Sequence, residues 1–349
     1  MQTKLFASQL VLVIFFLSGP QTSFGWGERG HDLITRIAVQ NLVADSGDNL
    51  ALTRPFVSRD HMLSHLSNAP DIVWRAPYMS DEERALNYPT HYINLERVYD
   101  TVSSISDLDS SYADFAKRAS DRGLDAAKEV GTAPWRALQL YQLMQGAFIS
   151  AAAATNSEQM IEATNQALLY GGLMSHFVGD LANPHHTSSN HDGQLTGNTG
   201  LHAYFESDVV AALSLKLAAQ VDRESNTRLL QDKVLSAYSK KAAQALKEPS
   251  SLILALVLNS HTNLERLTKL DNRYSIIERS KDSRTPAMRK PPKSVVSKYD
   301  DFVIERLAIG AAILSQLWLL AWQTGGEPDL SEYRSYLYPV KPEFIAPDY

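Results

Sequence analysis

His176 and Asp180 stand four residues apart, and so do His202 and Glu206. On a helix that spacing puts both side chains of a pair on one face. Imidazole and carboxylate groups converging from separate helices are the usual makings of a metal site. Beyond Asp180 the chain passes Pro184 to His185 and His186, which adds a further donor close in sequence. His31, Asp71 and His91 are additional candidates, and Trp26 stands close before the first of them. The chain has ten histidines and no cysteine, so any zinc must be held by nitrogen and oxygen. Such a donor set suits a catalytic site better than a thiolate-rich structural one. The competing reading is a set of histidines tied by hydrogen bonds inside an acidic helical protein.

The N-terminus bears on this chemistry. Lys4 precedes an apolar run from Leu10 to Leu17, and Ser23-Phe24-Gly25 supplies small residues at the usual cleavage positions. Residues 1–25 therefore read as a secretory signal, leaving 26–349 as one exported domain, secreted or periplasmic. The run is short for a membrane anchor, and no later segment reads as long and apolar enough to cross a bilayer. Cleavage after Gly25 would make Trp26 the first residue. Its free amine and its own carbonyl oxygen lie close enough together to chelate one ion; alternatively Trp26 simply begins a helix and packs in the core. The chain is mildly acidic, with a formal charge of -6 that becomes one unit more negative when Lys4 leaves. No global basic surface advertises nucleic-acid binding. An exported chain without cysteine has no disulfides, so its stability comes from its core and from any bound metal.

The elements that must carry these residues read as helices. Apolar residues at Leu33, Ile34, Ile37, Ala38 and Leu42 follow a 3.6-residue period from Gly30 to Ala44. Arg59–Leu66 reads as a short helix, interrupted at Asn68-Ala69-Pro70. Trp135–Ala154 is rich in helix formers. Another helix opens at Ser157 and runs through His176 and Asp180 to a limit at Pro184. Leu201–Ala218, Arg228–Ala245, Ser250–Leu267 and Phe302–Trp322 continue the pattern. The segment 89–95 looks extended. Ser188–Gly200 reads as a polar loop bordering the site. Arg273–Lys298, with three prolines, reads as an exposed basic loop: either a solvated connector or a contact for phosphate-rich surfaces. With no internal repeat and no strong linker, the expectation is one all-α domain, a helical bundle around the donors.

Five segments in order carry a resemblance. They are Trp26-Gly27-Glu28-Arg29-Gly30-His31, His91-Tyr92-Ile93-Asn94, Ser175-His176-Phe177-Val178-Gly179-Asp180, Asn183-Pro184-His185-His186 and Gly200-Leu201-His202-Ala203-Tyr204-Phe205-Glu206. Together they resemble the superfamily of zinc-dependent phospholipases C and S-one/P-one type single-strand nucleases. The resemblance implies an all-α fold around a trinuclear zinc site. It implies that Asp71, His91, His176 and Asp180 hold one zinc of a close pair, and that Trp26 and His31 hold the other, with Asp180 bridging. It implies that His186, His202 and Glu206 hold the third. Only the aspartate of Ala69-Pro70-Asp71-Ile72-Val73-Trp74 matches. The family's six-residue step from the bridging aspartate selects His186 over His185, while His61 and His191 fit no family position. Asp71 would also act catalytically, orienting a zinc-activated water or accepting its proton.

The two branches differ in substrate. His202-x-x-x-Glu206, with Tyr204-Phe205 between, is similar to the phospholipase form; the nucleases usually carry aspartate there, preceded by tryptophan. Trp26-Gly-x-x-Gly-His31 is instead the nuclease form. Tyr78, Tyr92 and Tyr204 could meet a quaternary ammonium, stack on a base, or simply pack. The acidic chain and Glu206 favour a phospholipid at a membrane surface, cleaved to diacylglycerol and a phosphorylated head group. Single-stranded nucleic acid is the alternative, and a non-catalytic zinc-binding protein is the third class.

Overall fold

The structure, a computed structural model, describes residues 26–335 apart from 48, 215 and 226–247. The proposed signal segment and the expected helix Arg228–Ala245 lie outside the described residues. The described chain is helical, with one two-stranded antiparallel hairpin, Ile276–Glu278 against Met288–Arg289.

Three long helices build the centre. The first, Gly27–Ser46, buries Ile34, Ile37, Ala38 and Leu42 on the stripe that its period sets. The second, Ser157–Ala182, starts where the Asn156 side chain accepts from the Gln159 amide at 3.0 Å. It ends where Pro184 forces Asn183 into an extended conformation. The third, Asp300–Thr324, is long and apolar enough to cross a membrane by length and composition, contrary to the sequence expectation. Its most apolar window is nevertheless 83% buried within the protein, and it carries a buried arginine. Arg306 Nη1 donates to Asn259 Oδ1 at 2.6 Å, and Nη2 to Glu305 at 2.8 Å. It is the central helix of the core. Trp318 on it packs on Phe56 with ring centroids 5.0 Å apart, and its indole donates to the Gly171 carbonyl of the second long helix at 3.3 Å. Ala133–Ala152 flanks this centre.

Four expected elements differ. The segment 89–95 is not a strand: Tyr88–His91 is a 3-10 turn with Pro89 in its first positions, where a missing N–H costs nothing. The extended residues after it bond to loops, Ile93 N–H to the His186 carbonyl and Asn94 N–H to the Val130 carbonyl, each at 2.8 Å. The expected helix Leu201–Ala218 breaks. It widens to a π turn at Tyr204–Val209, ends at Ala212 and restarts at Leu217. The cause is Arg29, whose guanidinium donates to the carbonyls of Val210 at 2.7 Å, Leu213 at 3.3 Å and Ser214 at 3.1 Å. A cation on these terminal carbonyls stabilises the helix end there. Ser250–Leu267 is two helices, Pro249–Thr262 and Leu264–Leu270, parted at Asn263. The basic stretch 273–298 contains the hairpin, and its Arg289 is spent on Asp271 at 2.9 Å.

Candidate metal centre

Each element delivers its donors for a local reason. The first long helix carries His31, and the second carries His176 and Asp180. Asp71 sits in the short helix Ala69–Ile72, begun by Pro70. His91 closes the 3-10 turn, and His186 lies on a second 3-10 turn, Pro184–Thr187. His202 and Glu206 face each other across the start of the π turn.

The donors fall into three groups able to hold a metal ion: His31 with His176 and Asp180; Asp71 with His91 and His176; and His186 with His202 and Glu206. The first two share His176 and meet around Asp180. Asp180 Oδ2 lies 3.1 Å from His91 Nδ1 and 3.2 Å from His176 Nε2, while its Oδ1 lies 3.5 Å from His31 Nε2. Asp71 Oδ1 lies 3.7 Å from His91 Nδ1 and 3.9 Å from His176 Nε2. In the third group Glu206 Oε2 is 2.7 Å from His202 Nε2 and 3.6 Å from His186 Nε2.

The buried donor atoms test whether a cation fits. Both ring nitrogens of His31 and Oδ1 of Asp180 are buried without a hydrogen-bond partner. Such orphans are costly in a dry interior. His176 Nε2 and His91 Nδ1 face each other at 2.9 Å, as do His202 Nε2 and His186 Nε2. Two lone pairs turned on one point need a proton or a cation between them. The outer nitrogens fix the tautomers: His176 Nδ1 bonds the Ser67 carbonyl at 2.8 Å, and His186 Nδ1 the His91 carbonyl at 2.6 Å. A ring N–H donated outward to a carbonyl leaves the inner nitrogen free to ligate. The donors fit metal ions.

The electrostatics agree. Burial pushes the Asp180 carboxyl up, but His176 and His186 together reverse this and hold it well below the usual carboxylate range. Burial, reinforced by His176, lowers His31; burial also lowers His91, against the pull of Asp180. Burial works against protonation of His176, yet Asp180 and Asp71 bring its value above the ordinary one. His186 loses by burial and gains more from Asp180 and Glu206, rising to about 9. Glu206, raised by burial, is brought down to about 2 by His202 and His186. Without metal, protons occupy the positions that a cation would take.

Trp26 is fully buried, and its indole donates to the Gly179 carbonyl at 2.7 Å, one residue from Asp180. Its own carbonyl accepts from the Gly30 amide at 3.2 Å. Gly179 is required by close approach, because a Cβ there would stand 2.7 Å from His31 Nδ1.

Of the two adjacent histidines, His186 joins His202 and Glu206. His185 is buried beside them, its ring stacked on His202 at 5.2 Å and its Nδ1 3.3 Å from the Asn190 carbonyl. His61 is exposed beside Asp60. His191 belongs to none of the three groups but lines the cleft over them. Sequence reasoning missed several supporting residues. Asn183 donates to Glu206 Oε2 at 2.8 Å, and Arg75 to Asp71 Oδ1 at 2.9 Å. The four-residue step from Asp71 to Arg75 is a signal that could have found the second pair; the contact across 23 residues from Asn183 to Glu206 leaves none.

The second and third groups reach a cleft of about 550 Å³ through His91, His186 and His202. Arg75, Arg97 and Lys128 line it together with Glu129 and Asp192, Arg97 pairing with Glu129 at 3.4 Å and Lys128 with Asp125 at 3.6 Å, and Tyr88 and Tyr92 supply aromatic faces. Its volume is that of a small-molecule site. No family model matches this chain, and no curated protein matches it.

Proposed function

We propose that this chain is a zinc-dependent phosphoric ester hydrolase, and that it acts on phospholipids as a phospholipase C. The observation that carries the reading is the convergence of three buried histidine–carboxylate groups, with orphaned donor atoms, beside a cleft that His91, His186 and His202 line. Zinc follows from the donor chemistry, since nitrogen and oxygen ligands without thiolate suit catalytic zinc. Bound zinc supplies a water deprotonated near neutral pH and positive charge for a phosphate.

The chain's own residues supply the rest. Asp180 lies between the His31 side and the His91–His176 side, so its two oxygens serve the paired groups. Asp71, steadied by Arg75, is the carboxylate that orients the attacking water or takes its proton. His186, His202 and Glu206, the last steadied by Asn183, would hold a third cation, which would supply charge for the phosphate. No serine or cysteine nucleophile is needed. Removal of residues 1–25 during export would free the Trp26 amine as a further nitrogen donor, on a residue whose indole is tied to the Gly179 carbonyl.

The phospholipid reading rests on Glu206 after His202 and on the acidic chain. A second reading, hydrolysis of single-stranded nucleic acid, is favoured by Tyr88 and Tyr92 beside Arg97, since such faces also stack on bases. One zinc-loaded preparation assayed on phosphatidylcholine vesicles and on single-stranded DNA separates the two. Diacylglycerol release supports the lipase; nucleotide release without diacylglycerol transfers the chain to the nuclease branch.

A further inference from the structure

A second concavity lies apart from the metal cleft and shares none of its lining residues. It is a groove of about 660 Å³, to which Pro89, Tyr112, Trp135 and Leu138 give apolar walls. The walls are fixed in place. The Trp135 ring stacks on Phe115 at 4.0 Å and meets the Tyr112 ring edge-on at 5.9 Å. The Thr132 amide donates to the Pro89 carbonyl at 2.7 Å, which ties the start of the helix Ala133–Ala152 to the turn before His91. A groove of this volume with aromatic walls is of small-molecule size.

Arg136 is the one charged residue in that lining. Its guanidinium lies 5.5 Å over the Trp74 ring and 5.8 Å over the Phe177 ring. Such stacking holds the plane of the fork and leaves its N–H edges to bond in plane. Nη1 donates to Gln139 Oε1 at 2.5 Å, and Nε is buried without an acceptor. No carboxylate among the described residues pairs with the group, and burial, with nothing to offset it, pulls the guanidinium below its ordinary value. By contrast Arg97 pairs with Glu129, and Arg118 with Asp109. The helix that carries Arg136 has no acidic residue in its first turn, so the positive end of its dipole adds to the charge. A half-buried cation without a countercharge is costly unless something supplies one.

The charge count selects the ligand class. One guanidinium with no second cation beside it neutralises one negative charge. A carboxylate carries one, is planar, and takes the fork bidentately. A phosphate monoester carries about two near neutral pH and would stay half unpaired. We infer that this groove binds a small organic carboxylate, its head on Arg136 and its apolar body along Tyr112, Trp135 and Leu138. The inference stands apart from the hydrolase reading, because the groove holds none of the metal donors.

Calorimetric titration of the zinc-loaded chain with 2-naphthoate tests it, with neutral 2-naphthamide and phenyl phosphate titrated alongside. Two variants are compared with the parent. Arg136→Gln removes the charge. Gln139→Glu is the gentler change: Gln139 is exposed and already bonded to Arg136, so a carboxylate in its place occupies the guanidinium from within. Affinity for 2-naphthoate should fall about tenfold or more in both variants, the scale of a charged, bidentate hydrogen bond. Gln139→Glu should keep its zinc content and melting temperature, and 2-naphthamide should bind the parent about tenfold more weakly than 2-naphthoate. Equal 2-naphthoate affinity in the parent and Gln139→Glu overturns the inference and places the anion elsewhere, the metal donors included. No saturable binding by the parent, or equal affinity for 2-naphthamide, overturns it as well. Phenyl phosphate binding that Gln139→Glu weakens more than 2-naphthoate binding contradicts the choice of a carboxylate.

Discussion

The His91 carbonyl accepts a hydrogen bond from His186 Nδ1 at 2.6 Å, while His91 Nδ1 lies 3.1 Å from Asp180 Oδ2. One residue thus joins the paired groups to the third: its side chain serves the first and its main chain orients a donor of the second. The three groups form one connected centre, in which outer hydrogen bonds choose the tautomers of the inner nitrogens.

Asp180→Ala should be the most damaging single change. Asp180 faces His31, His91 and His176 at once, and no neighbour replaces its two oxygens. Hydrolysis should drop by at least about a thousandfold, the scale on which one preorganised electrostatic group acts. Steady-state rates and metal content on the same sample check this; a variant that keeps its metal and half its rate contradicts the bridging role.

The adjacent histidines should behave differently. His186→Ala should lose the metal of the third group, and His185→Ala should retain it, because only His186 turns Nε2 onto His202 and Glu206. Asn183→Ala should weaken the same site by about 10–100-fold, the usual cost of losing a partner that holds a ligand in place. Elemental analysis of the three variants after equal dialysis reads both effects. Metal loss in His185→Ala alone would shift the register by one residue.

The helical spacing of His176 with Asp180 and of His202 with Glu206 was legible in the sequence because one helix face needs no tertiary information. The long helices were legible for the same reason: their apolar stripes repeat at 3.6 residues. The Arg29 contact that stops the helix after Ala212 spans some 180 positions, and no local pattern announces it. Residues 89–95 read as extended, yet Tyr88–His91 is a 3-10 turn, and the extended residues after it bond to the carbonyls of His186 and Val130 rather than to a strand. The cleft wall at Arg97 and Lys128 likewise depends on packing between distant segments.

Gly179→Ala should reverse the usual effect of this substitution. In an open helix position alanine gains about 0.5–1 kcal/mol over glycine. Here the new Cβ would stand 2.7 Å from His31 Nδ1. The ring must move, so metal affinity in the paired groups should fall while the helix content stays unchanged. Circular dichroism with metal titration checks the pair; unchanged affinity would show that His31 is not held where it is needed.

The metal-free protein should show a defined pH response. His186 has its value raised to about 9 by Asp180 and Glu206 against burial. Its contribution to stability is therefore full below its unfolded value near 6.5 and is lost as pH rises through about 9. Glu206, lowered to about 2, contributes above about 4.5 and loses that contribution as pH falls through about 2. From these two groups, thermal stability of the metal-free chain should fall between about pH 6.5 and 9. Zinc must displace the His186 proton, so binding at pH 7 should release protons, and the third group should lose its metal first on acidification. Melting curves across that range and calorimetry in buffers of different ionisation enthalpy measure both. A metal-free chain that gains stability from pH 6.5 to 9 contradicts the assignment.

The most direct measurement is hydrolysis of bis(4-nitrophenyl) phosphate by the purified chain, with zinc counted on the same sample before chelation, after chelation and after zinc is returned. The metal-dependent hydrolase reading predicts about three zinc ions per chain, one for each group of donors, with hydrolysis lost on chelation and restored by zinc. Full hydrolysis with zinc removed, or a chain that takes up no zinc at neutral pH, would contradict it.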